Sequence, residues 1–196
     1  MFAYLRVLAR LLCLVCLASG STTALSQGKQ IAGVTLQDSI TIYNNELRLN
    51  GAGLYNVDKS GSYVVQIFAK QKFGSLDEFL AGPGPKRLRL TAVKTVDVQS
   101  IVKAFNRNLE DANRADMAKL VPGMMAVGNA FNTKSTLAPG DVLMVDWITI
   151  YGMTIYINGK KQFEALKPPE LFKALAGVWL RDTAADTKLK DALLGK

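Results

Sequence analysis

The stretch that decides the fold runs from Leu137 to Leu180 and reads LAPGDVLMVDWITIYGMTIYINGKKQFEALKPPELFKALAGVWL. Its first half is rich in Val, Ile, Thr, Trp and Tyr, which suit a pleated strand. Asn158-Gly159 favours a tight type I′ turn, because both residues tolerate positive φ. The pattern predicts two long antiparallel strands, Val142 to Tyr151 and Met153 to Ile157, and a short return over Lys160 to Phe163.

The second half of this stretch changes from a period of two to the helical period of about 3.6 after Pro168-Pro169. Its apolar side chains then form one stripe, made of Leu171, Phe172, Leu175, Val178 and Trp179. We expect the stripe to cover the apolar face of the strands, with Leu175 and Trp179 buried against them. The prediction is an α+β domain, in which a large antiparallel sheet carries helices packed on one face.

Further strands are predicted upstream, at Ile31 to Asn50 in two short pieces, at Leu54 to Val57, at Ser62 to Lys70 and at Arg87 to Ala92. The small residues between the first and second of these segments, Asn50-Gly51-Ala52-Gly53, indicate a β-bulge. The entrance of a binding site is the alternative for the same glycines.

One face of the last of these strands carries Arg87, Arg89 and Thr91, which alternate with Leu88, Leu90 and Ala92. Charged side chains commonly protect the edge of a sheet. We therefore expect a solvated edge strand. The alternative is that the two arginines hold an anion.

Helices are predicted where capping residues precede an apolar stripe. Four such segments are found: Ser75 to Leu80, the residues behind Asp97, Asp116 to Phe131 with an interruption or restart at Pro122-Gly123, and a C-terminal helix that begins with a capping box over Thr183 to Asp186. The sequence shows no repeat, linker or domain boundary between these predicted strands and helices.

Residues 1–26 are predicted to be a targeting signal. Arg6 and Arg10 supply positive charge, Leu11 to Ala18 forms an apolar core, and cleavage is expected before Gln27, with Gly20 as an alternative. The apolar run is shorter than the roughly 20 residues of a membrane-spanning helix. We therefore expect a single exported domain over residues 27–196, in a bacterial periplasm, with eukaryotic secretion as the alternative. No integral membrane segment is expected after cleavage.

Composition excludes several kinds of chemistry. The chain has no histidine, and its two cysteines, Cys13 and Cys16, lie in the predicted signal. A mature chain without them has no disulfide, no thiolate nucleophile and no His-dependent triad, and no cofactor or metal is expected. The formal charge is +8, and loss of Arg6 and Arg10 leaves +6. Because the basic residues are scattered, we interpret them as a solvated surface and expect no nucleic-acid partner.

Seven short motifs occur in a characteristic order: Leu49–Gly53 (LNGAG), Gly84–Arg89 (GPKRLR), Leu137–Asp141 (LAPGD), Asn158–Lys160 (NGK), Phe172–Leu175 (FKAL), Trp179–Leu180 (WL) and Leu189–Gly195 (LKDALLG). In this order they resemble segments of chalcone isomerase-like proteins, particularly the small exported bacterial branch. The resemblance covers about Ile31 to Gly195. It implies a large antiparallel sheet, helices on one face, and a ligand cleft between the sheet and the helices.

The resemblance also implies where a ligand would bind. In the plant enzymes, which close a chalcone into a flavanone, and in plant members that bind fatty acids, an arginine lies two residues after GAG. That position is Tyr55 here. A hydroxyl residue of the enzymes aligns with Val178, and their active-site asparagine aligns with Asn106. The expected ligand-binding set is Tyr55, Ile67, Asn106 and Val178.

Three functions follow from this set. The favoured one is a non-catalytic protein whose cleft binds a small apolar or fatty-acid-like ligand, because a phenol has no permanent positive charge. The alternative is an intramolecular lyase or isomerase that acts on a chalcone-like substrate through Tyr55, with Asn106 as a further catalytic candidate. The third is a structural or partner-binding module whose cleft is filled by its own side chains.

Overall fold

A seven-stranded antiparallel sheet forms the centre of the fold, and helices pack on one of its faces. The computed structural model describes residues 29–56, 61–110, 117–182 and 186–196. The predicted signal, its cleavage site and both cysteines lie outside the described residues. The predicted α+β class with a large antiparallel sheet is confirmed.

The strands are β1 (Gln30–Ile31), β2 (Val34–Thr35), β3 (Ser39–Ile42), β4 (Asn45–Asn56), β5 (Ser62–Ala69), β6 (Lys86–Ala92), β7 (Val96–Asp97), β8 (Thr136–Leu137), β9 (Val142–Ile148), β10 (Gly152–Ile157) and β11 (Lys160–Lys161). The helices are α1 (Leu76–Ala81), α2 (Gln99–Glu110), α3 (Met117–Thr133), α4 (Pro169–Leu180) and α5 (Thr187–Leu193). The large sheet has the order β11-β10-β9-β6-β5-β4-β3, while β1 pairs with β2 and β7 with β8.

The segment from Leu137 to Leu180 forms β9, β10, β11 and α4. Asn158 and Gly159 have φ of 50° and 78°, as the predicted tight turn requires. The first strand ends at Ile148, three residues before the predicted end, because residues 149–151 make the turn into β10. Strand β9 pairs with β10, which follows it in the chain, on one side and with β6 on the other.

The main core lies between the sheet and the helices. On α4, Leu175 is fully buried and Trp179 is 4% exposed, so the prediction that this helix covers the sheet is confirmed. Alternate residues of the strands, such as Val65, Leu90 and Ile155, face the helices and are also buried. The alternate apolar residues of the strands and the apolar stripe of the helix therefore pack together in one layer.

The other face of the sheet is curled. Tyr43, in the turn after β3, and Tyr151, in the turn before β10, have ring centroids 6.4 Å apart. In a flat sheet, the strands β3 and β9 would lie about 19 Å apart, since neighbouring strands are about 4.8 Å apart. A small apolar cluster of Ile42, Leu47, Phe68 and Ile148 spans this face. The face opposite the helices is consequently concave.

The prediction of an edge strand at Arg87 to Ala92 is wrong. This segment is β6, which lies between β5 and β9 in the middle of the sheet. Arg87 donates to both carboxylate oxygens of Asp146 on β9, at 2.6 Å each, and Thr91 is buried. The alternation of charge marks the concave face, where buried ion pairs and polar side chains replace the solvent that an edge strand would meet.

The glycine motif does not separate two strands. It lies within β4, which runs from Asn45 to Asn56, and the register with β5 shifts between Leu49 and Gly51. The predicted bulge is therefore confirmed, whereas the predicted break before Leu54 is wrong. One extra residue at Asn50 is accommodated locally, and pairing with β5 resumes directly.

Two helix predictions also need correction. Pro122 lies inside α3 without interrupting it. The helix continues because Leu120, Val127 and Phe131 bury their side chains on both sides of the proline. At the last helix, the N-cap is Asp186, whose carboxylate accepts a hydrogen bond from the N–H of Leu189 at 2.9 Å. Thr183 lies outside the described residues.

Candidate functional site

The sequence-predicted site residues lie on four elements around the interface between sheet and helices. Tyr55 on β4 and Val178 on α4 are partly buried against the main core, and Ile67 on β5 is fully buried in it. Asn106 lies partly buried on α2. The structure thus places Tyr55, Ile67 and Val178 in one apolar layer, with Tyr55 and Val178 at its rim.

Aromatic side chains fill the interface behind Tyr55. Its ring centroid lies 5.2 Å from that of Tyr63, which is the cross-strand neighbour of Tyr55 on β5. The ring of Trp179 meets Tyr63 edge to face at 6.4 Å and 89°. The indole Nε1 of Trp179 donates a hydrogen bond to Tyr63 Oη at 3.0 Å. Three aromatic rings in contact, one from each of β4, β5 and α4, therefore pack these elements together.

The phenol of Tyr63 is buried and does not ionise at neutral pH. Burial raises its pKa far above the ordinary value for tyrosine, the Trp179 hydrogen bond opposes this effect, and nearby Tyr55 adds to it. Tyr63 is only 1% exposed. It therefore stays protonated at neutral pH and serves neither as a base nor as an anionic nucleophile. Its hydroxyl oxygen is used as an acceptor inside the protein.

The buried amide of α2 is Asn108 rather than Asn106. Its Nδ2 donates to the carbonyl of Ala174 at 2.8 Å, and its Oδ1 accepts from Arg181 Nη1 at 3.0 Å. Gly177 permits this approach, because a Cβ there would lie 2.8 Å from Arg181 Cδ. Asn108 thus ties α2 to α4 at the end of the site.

Sequence reasoning missed both Asn108 and Tyr63. A signal existed for Asn108, since it lies three residues after Phe105 in the apolar stripe of α2. A polar residue inside such a stripe predicts a buried, hydrogen-bonded amide. Tyr63 lies within a continuous apolar run, SYVVQIFA, whose residues are all buried, so alternation could not show which of them face the helices.

The glycine motif docks the C-terminal helix. A Cβ at Gly51 would collide with the carbonyl oxygens of Ala192 and Leu193 on α5, and one at Gly53 would lie 2.6 Å from Leu189 Cδ1. The buried Asn50 side chain donates to the carbonyl of Leu193 at 2.8 Å. The two glycines are therefore required by close packing, as expected where a backbone element approaches a strand.

Two open grooves border the C-terminal helix, and both are lined by cations. One, of about 400 Å³, lies between α1, α4 and α5, and its charged residues are Asp77, Lys173, Arg181, Asp182, Lys190 and Lys196. The other, of about 580 Å³, lies beside the bulge, and its charged residues are Lys29, Asp38, Arg48, Lys72 and Lys196. Lysine Nζ atoms in both grooves have partners: Lys190 pairs with Asp182 at 3.1 Å, and Lys72 donates to the carbonyls of Leu49 and Asn50 at 2.9 Å.

A model of the chalcone isomerase-like family matches residues 28–195 of this sequence. The chain belongs to the chalcone isomerase-like family. A solved structure of a fatty-acid-binding protein from Arabidopsis thaliana superposes with a TM-score of 0.64 at 12% identity, over 86% of this chain and 95% of the plant protein. At that identity the likeness concerns the fold. No curated protein matches the chain.

Tyr55, two positions after the GAG of β4, lies on the helix-facing side of the sheet. Its ring packs against Tyr63 in a tilted geometry, and the position carries no cation. In the parts of the chain that the structure describes, carboxylates and thiols form no group of three that could hold a metal ion. Among the described helices, none is both long and apolar enough to cross a bilayer.

Proposed function

We propose that this chain is a non-catalytic, ligand-binding member of the chalcone isomerase-like family, of the small exported bacterial branch. Its ligand is a small apolar or fatty-acid-like molecule, and its site is the rim of the sheet–helix interface at Tyr55 and Val178. The observation that carries the proposal is the packing of Tyr55 against Tyr63, with ring centroids 5.2 Å apart and a tilt of 47°, at the position where the family's enzymes and fatty-acid binders have an arginine.

The arrangement favours binding over catalysis for an electrostatic reason. Closure of a chalcone needs stabilisation of an enolate oxygen, and loss of one preorganised donor costs on the order of 10² to 10³ in rate. Tyr55 supplies a neutral phenol instead of a guanidinium. Tyr63 is buried, protonated and bonded to Trp179. These side chains offer apolar surface and shape to a ligand, and no charge to a transition state.

A second candidate, the closed structural module, is favoured by one observation. Tyr63 is 1% exposed and Ile67 is 0% exposed, so protein side chains already fill the depth of the interface. Of the predicted ligand-binding set, Tyr55, Asn106 and Val178 remain partly accessible. The two candidates differ in whether an apolar ligand can displace the side chains of Tyr55 and Val178 and enter the interface.

A titration with laurate, at submicellar concentration, separates the candidates. The chain has two tryptophans, so Trp147→Phe leaves Trp179 as the fluorescent reporter beside the site. The proposal expects a saturable change in Trp179 fluorescence. Dodecanol should bind about as well as laurate, because Tyr55 offers no charge to a carboxylate. Absence of any response to either ligand would favour the closed module.

Matched variants test where the ligand lies. Val178→Phe narrows the rim and should weaken binding, whereas Val121→Phe, on the exposed surface of α3, should leave it unchanged. Tyr55→Arg restores the family's cation and should improve binding of laurate over dodecanol by about tenfold, the effect of one charge-assisted hydrogen bond. Equal effects of Val178→Phe and Val121→Phe would contradict the location.

Export is the remaining part of the proposal and has its own test. Expressed in a bacterium, the mature protein should be recovered from the periplasm with an N-terminus near Gln27. Intact-mass measurement reads the cleavage site directly, and it also reports whether the mature chain still contains cysteine. A periplasmic protein that retains Cys13 would contradict the predicted signal.

A further inference from the structure

The concave face of the sheet places five side chains in a row across five strands. The register pairs Ala52 on β4 with Gln66 on β5, Gln66 with Arg89 on β6, Arg89 with Met144 on β9, and Met144 with Tyr156 on β10. Side chains directly opposite each other on one face lie about 5 Å apart at Cβ. Arg89 and Gln66 are therefore neighbours on the face away from the helices.

This row contains polar atoms without partners. Among the residues that the structure describes, the buried side-chain polar atoms that lack a hydrogen bond are Gln66 Nε2 and Oε1, Arg89 Nε and Thr91 Oγ1. Gln66 is 0% exposed. Thr91 follows Arg89 by two residues on the same face of β6. Such orphaned groups are few in native proteins and each costs free energy, so a cluster of them at one place indicates a missing partner.

The charge of the row is also uncompensated. The neighbouring Arg87 is neutralised by Asp146, whose carboxylate it binds through two hydrogen bonds. Arg89 forms no ion pair within the described ranges; its Nη1 donates to Oε1 of Gln37 at 2.9 Å. Gln37 is neutral and exposed. Burial, and then the charge of Arg87, lower the pKa of Arg89, yet a guanidinium remains charged at neutral pH.

We propose that the concave face is a second binding site, in which Arg89, Gln66 and Thr91 bind the carboxylate of a small hydroxy acid. The carboxylate oxygens accept from Arg89 Nε and from the Thr91 hydroxyl. The ligand hydroxyl donates to Gln66 Oε1, and a carboxylate oxygen also accepts from Gln66 Nε2, so each orphaned atom gains a partner. The amide oxygen of Gln37 accepts from Nη1, on another edge of the guanidinium, so it does not compete with the carboxylate at Nε.

The surroundings limit the ligand to a small molecule. Ala52, Leu54, Val142 and Met144 border the polar group on this face and are partly buried. They offer apolar contact to a short carbon chain. The site is separate from the sheet–helix interface, because the two lie on opposite faces of the sheet, so either can fail its test while the other stands.

Glycolate is the probe, because it combines a carboxylate with one adjacent hydroxyl. Nitrogen-15 NMR should show saturable shifts of the Arg89 Nε–H and Gln66 amide signals. Acetate, which lacks the hydroxyl, and glycolamide, which lacks the charge, should bind more weakly. Arg89→Gln should weaken glycolate binding about tenfold or more, as expected for a lost charge-assisted hydrogen bond. Arg107→Gln, which removes the same charge from the exposed surface of α2, should have no effect.

Stability supplies the readout that a purely structural role would not give. Gln66→Leu removes the orphaned amide at similar volume, so it should abolish glycolate binding while the unfolding midpoint stays equal or rises. A loss of stability in Gln66→Leu, or no saturable shift at Arg89 with glycolate up to its solubility, would overturn the proposal.

Discussion

At the scale of single residues, the hydrogen bond between Trp179 and Tyr63 lies where the helix meets the sheet. Tyr63→Phe removes the acceptor and leaves the indole N–H of Trp179 buried without a partner. We expect a loss of about 1–3 kcal/mol in the free energy of unfolding, the usual penalty for such a group. Urea-induced unfolding measures it.

Two controls separate the hydrogen bond from ring packing. Tyr151→Phe, at a side chain that is 57% exposed, should change stability by less than about 0.5 kcal/mol. In a Trp179→Phe background, the cost of Tyr63→Phe should largely disappear, because no donor remains to be orphaned. An undiminished cost in that background would show that the phenol hydroxyl acts elsewhere.

The carboxylate of Asp141 gives a pH-dependent prediction. Hydrogen bonds from Lys134, from Asn158 and from the N–H of Ala138 lower its pKa to about 2, from 3.8 in an unfolded chain. Between these values the unfolded state binds more protons, so the stabilisation is complete above about pH 4 and is lost as the pH falls toward 2. Unfolding followed across this window should show a shallower pH dependence in Asp141→Asn. The exposed Glu46→Gln serves as control, and an equal change in both variants would argue against this assignment.

At the scale of elements, the contact between β4 and α5 depends on two glycines. Gly51→Ala places a methyl group against backbone carbonyls of α5, which cannot move as a side chain can. We expect a loss of about 1–3 kcal/mol, as for overpacking. Gly53→Ala meets the end of the Leu189 side chain and should cost less. Denaturant melts and hydrogen exchange of α5 would show the effect.

A glycine elsewhere provides the matched control. Gly128 lies in α3, and a Cβ there would meet nothing within 4 Å. Gly128→Ala should stabilise the protein by about 0.5–1 kcal/mol, because alanine loses less backbone entropy in a helix. If Gly51→Ala were equally harmless, α5 would not dock on the glycine motif as described.

Trp179→Ala tests the placement of α4. Removing a large buried aromatic side chain usually costs about 3–5 kcal/mol. A loss below about 1 kcal/mol in urea melts would mean that the helix does not cover the sheet through this residue. The exposed Lys173→Ala, on the opposite side of α4, should change stability little.

The elements were predictable where one periodicity dominates. The stripe of α4, the alternation in β10 and the turn at Asn158-Gly159 each have one interpretation, and the structure agrees. The edge assignment of β6 failed because alternation of charge is the same for an edge strand and for a central strand with a polar concave face. Only pairing with β9, which is distant in sequence, distinguishes the two.

The candidate site was predictable in part for a related reason. Family resemblance selected Tyr55 as a candidate, and the structure places it on the helix-facing side of β4. The partners of Tyr55 were not visible, because Tyr63 and Trp179 are 116 residues apart in sequence. The orphaned group of Gln66, Arg89 and Thr91 depends on the register between β5 and β6, and a register cannot be read from either strand alone.

At the scale of the whole molecule, we expect no chalcone isomerase activity. Flavanone formation from a chalcone should proceed at the same rate with and without the protein, because Tyr55 supplies a neutral phenol and the buried Tyr63 stays protonated. Clear turnover that Tyr55→Phe abolishes would instead establish a tyrosine-based isomerase. Turnover gained only in Tyr55→Arg would show that the cleft is intact and lacks just the charged donor.

The most direct test of the central claim is a crystal structure of the protein grown with laurate. We expect an alkyl chain between β4 and α4, in contact with Tyr55 and Val178, with the hydrogen bond between Trp179 and Tyr63 still in place. Tyr55 and Val178 packed together over the interface, with laurate bound elsewhere or not at all, would contradict it.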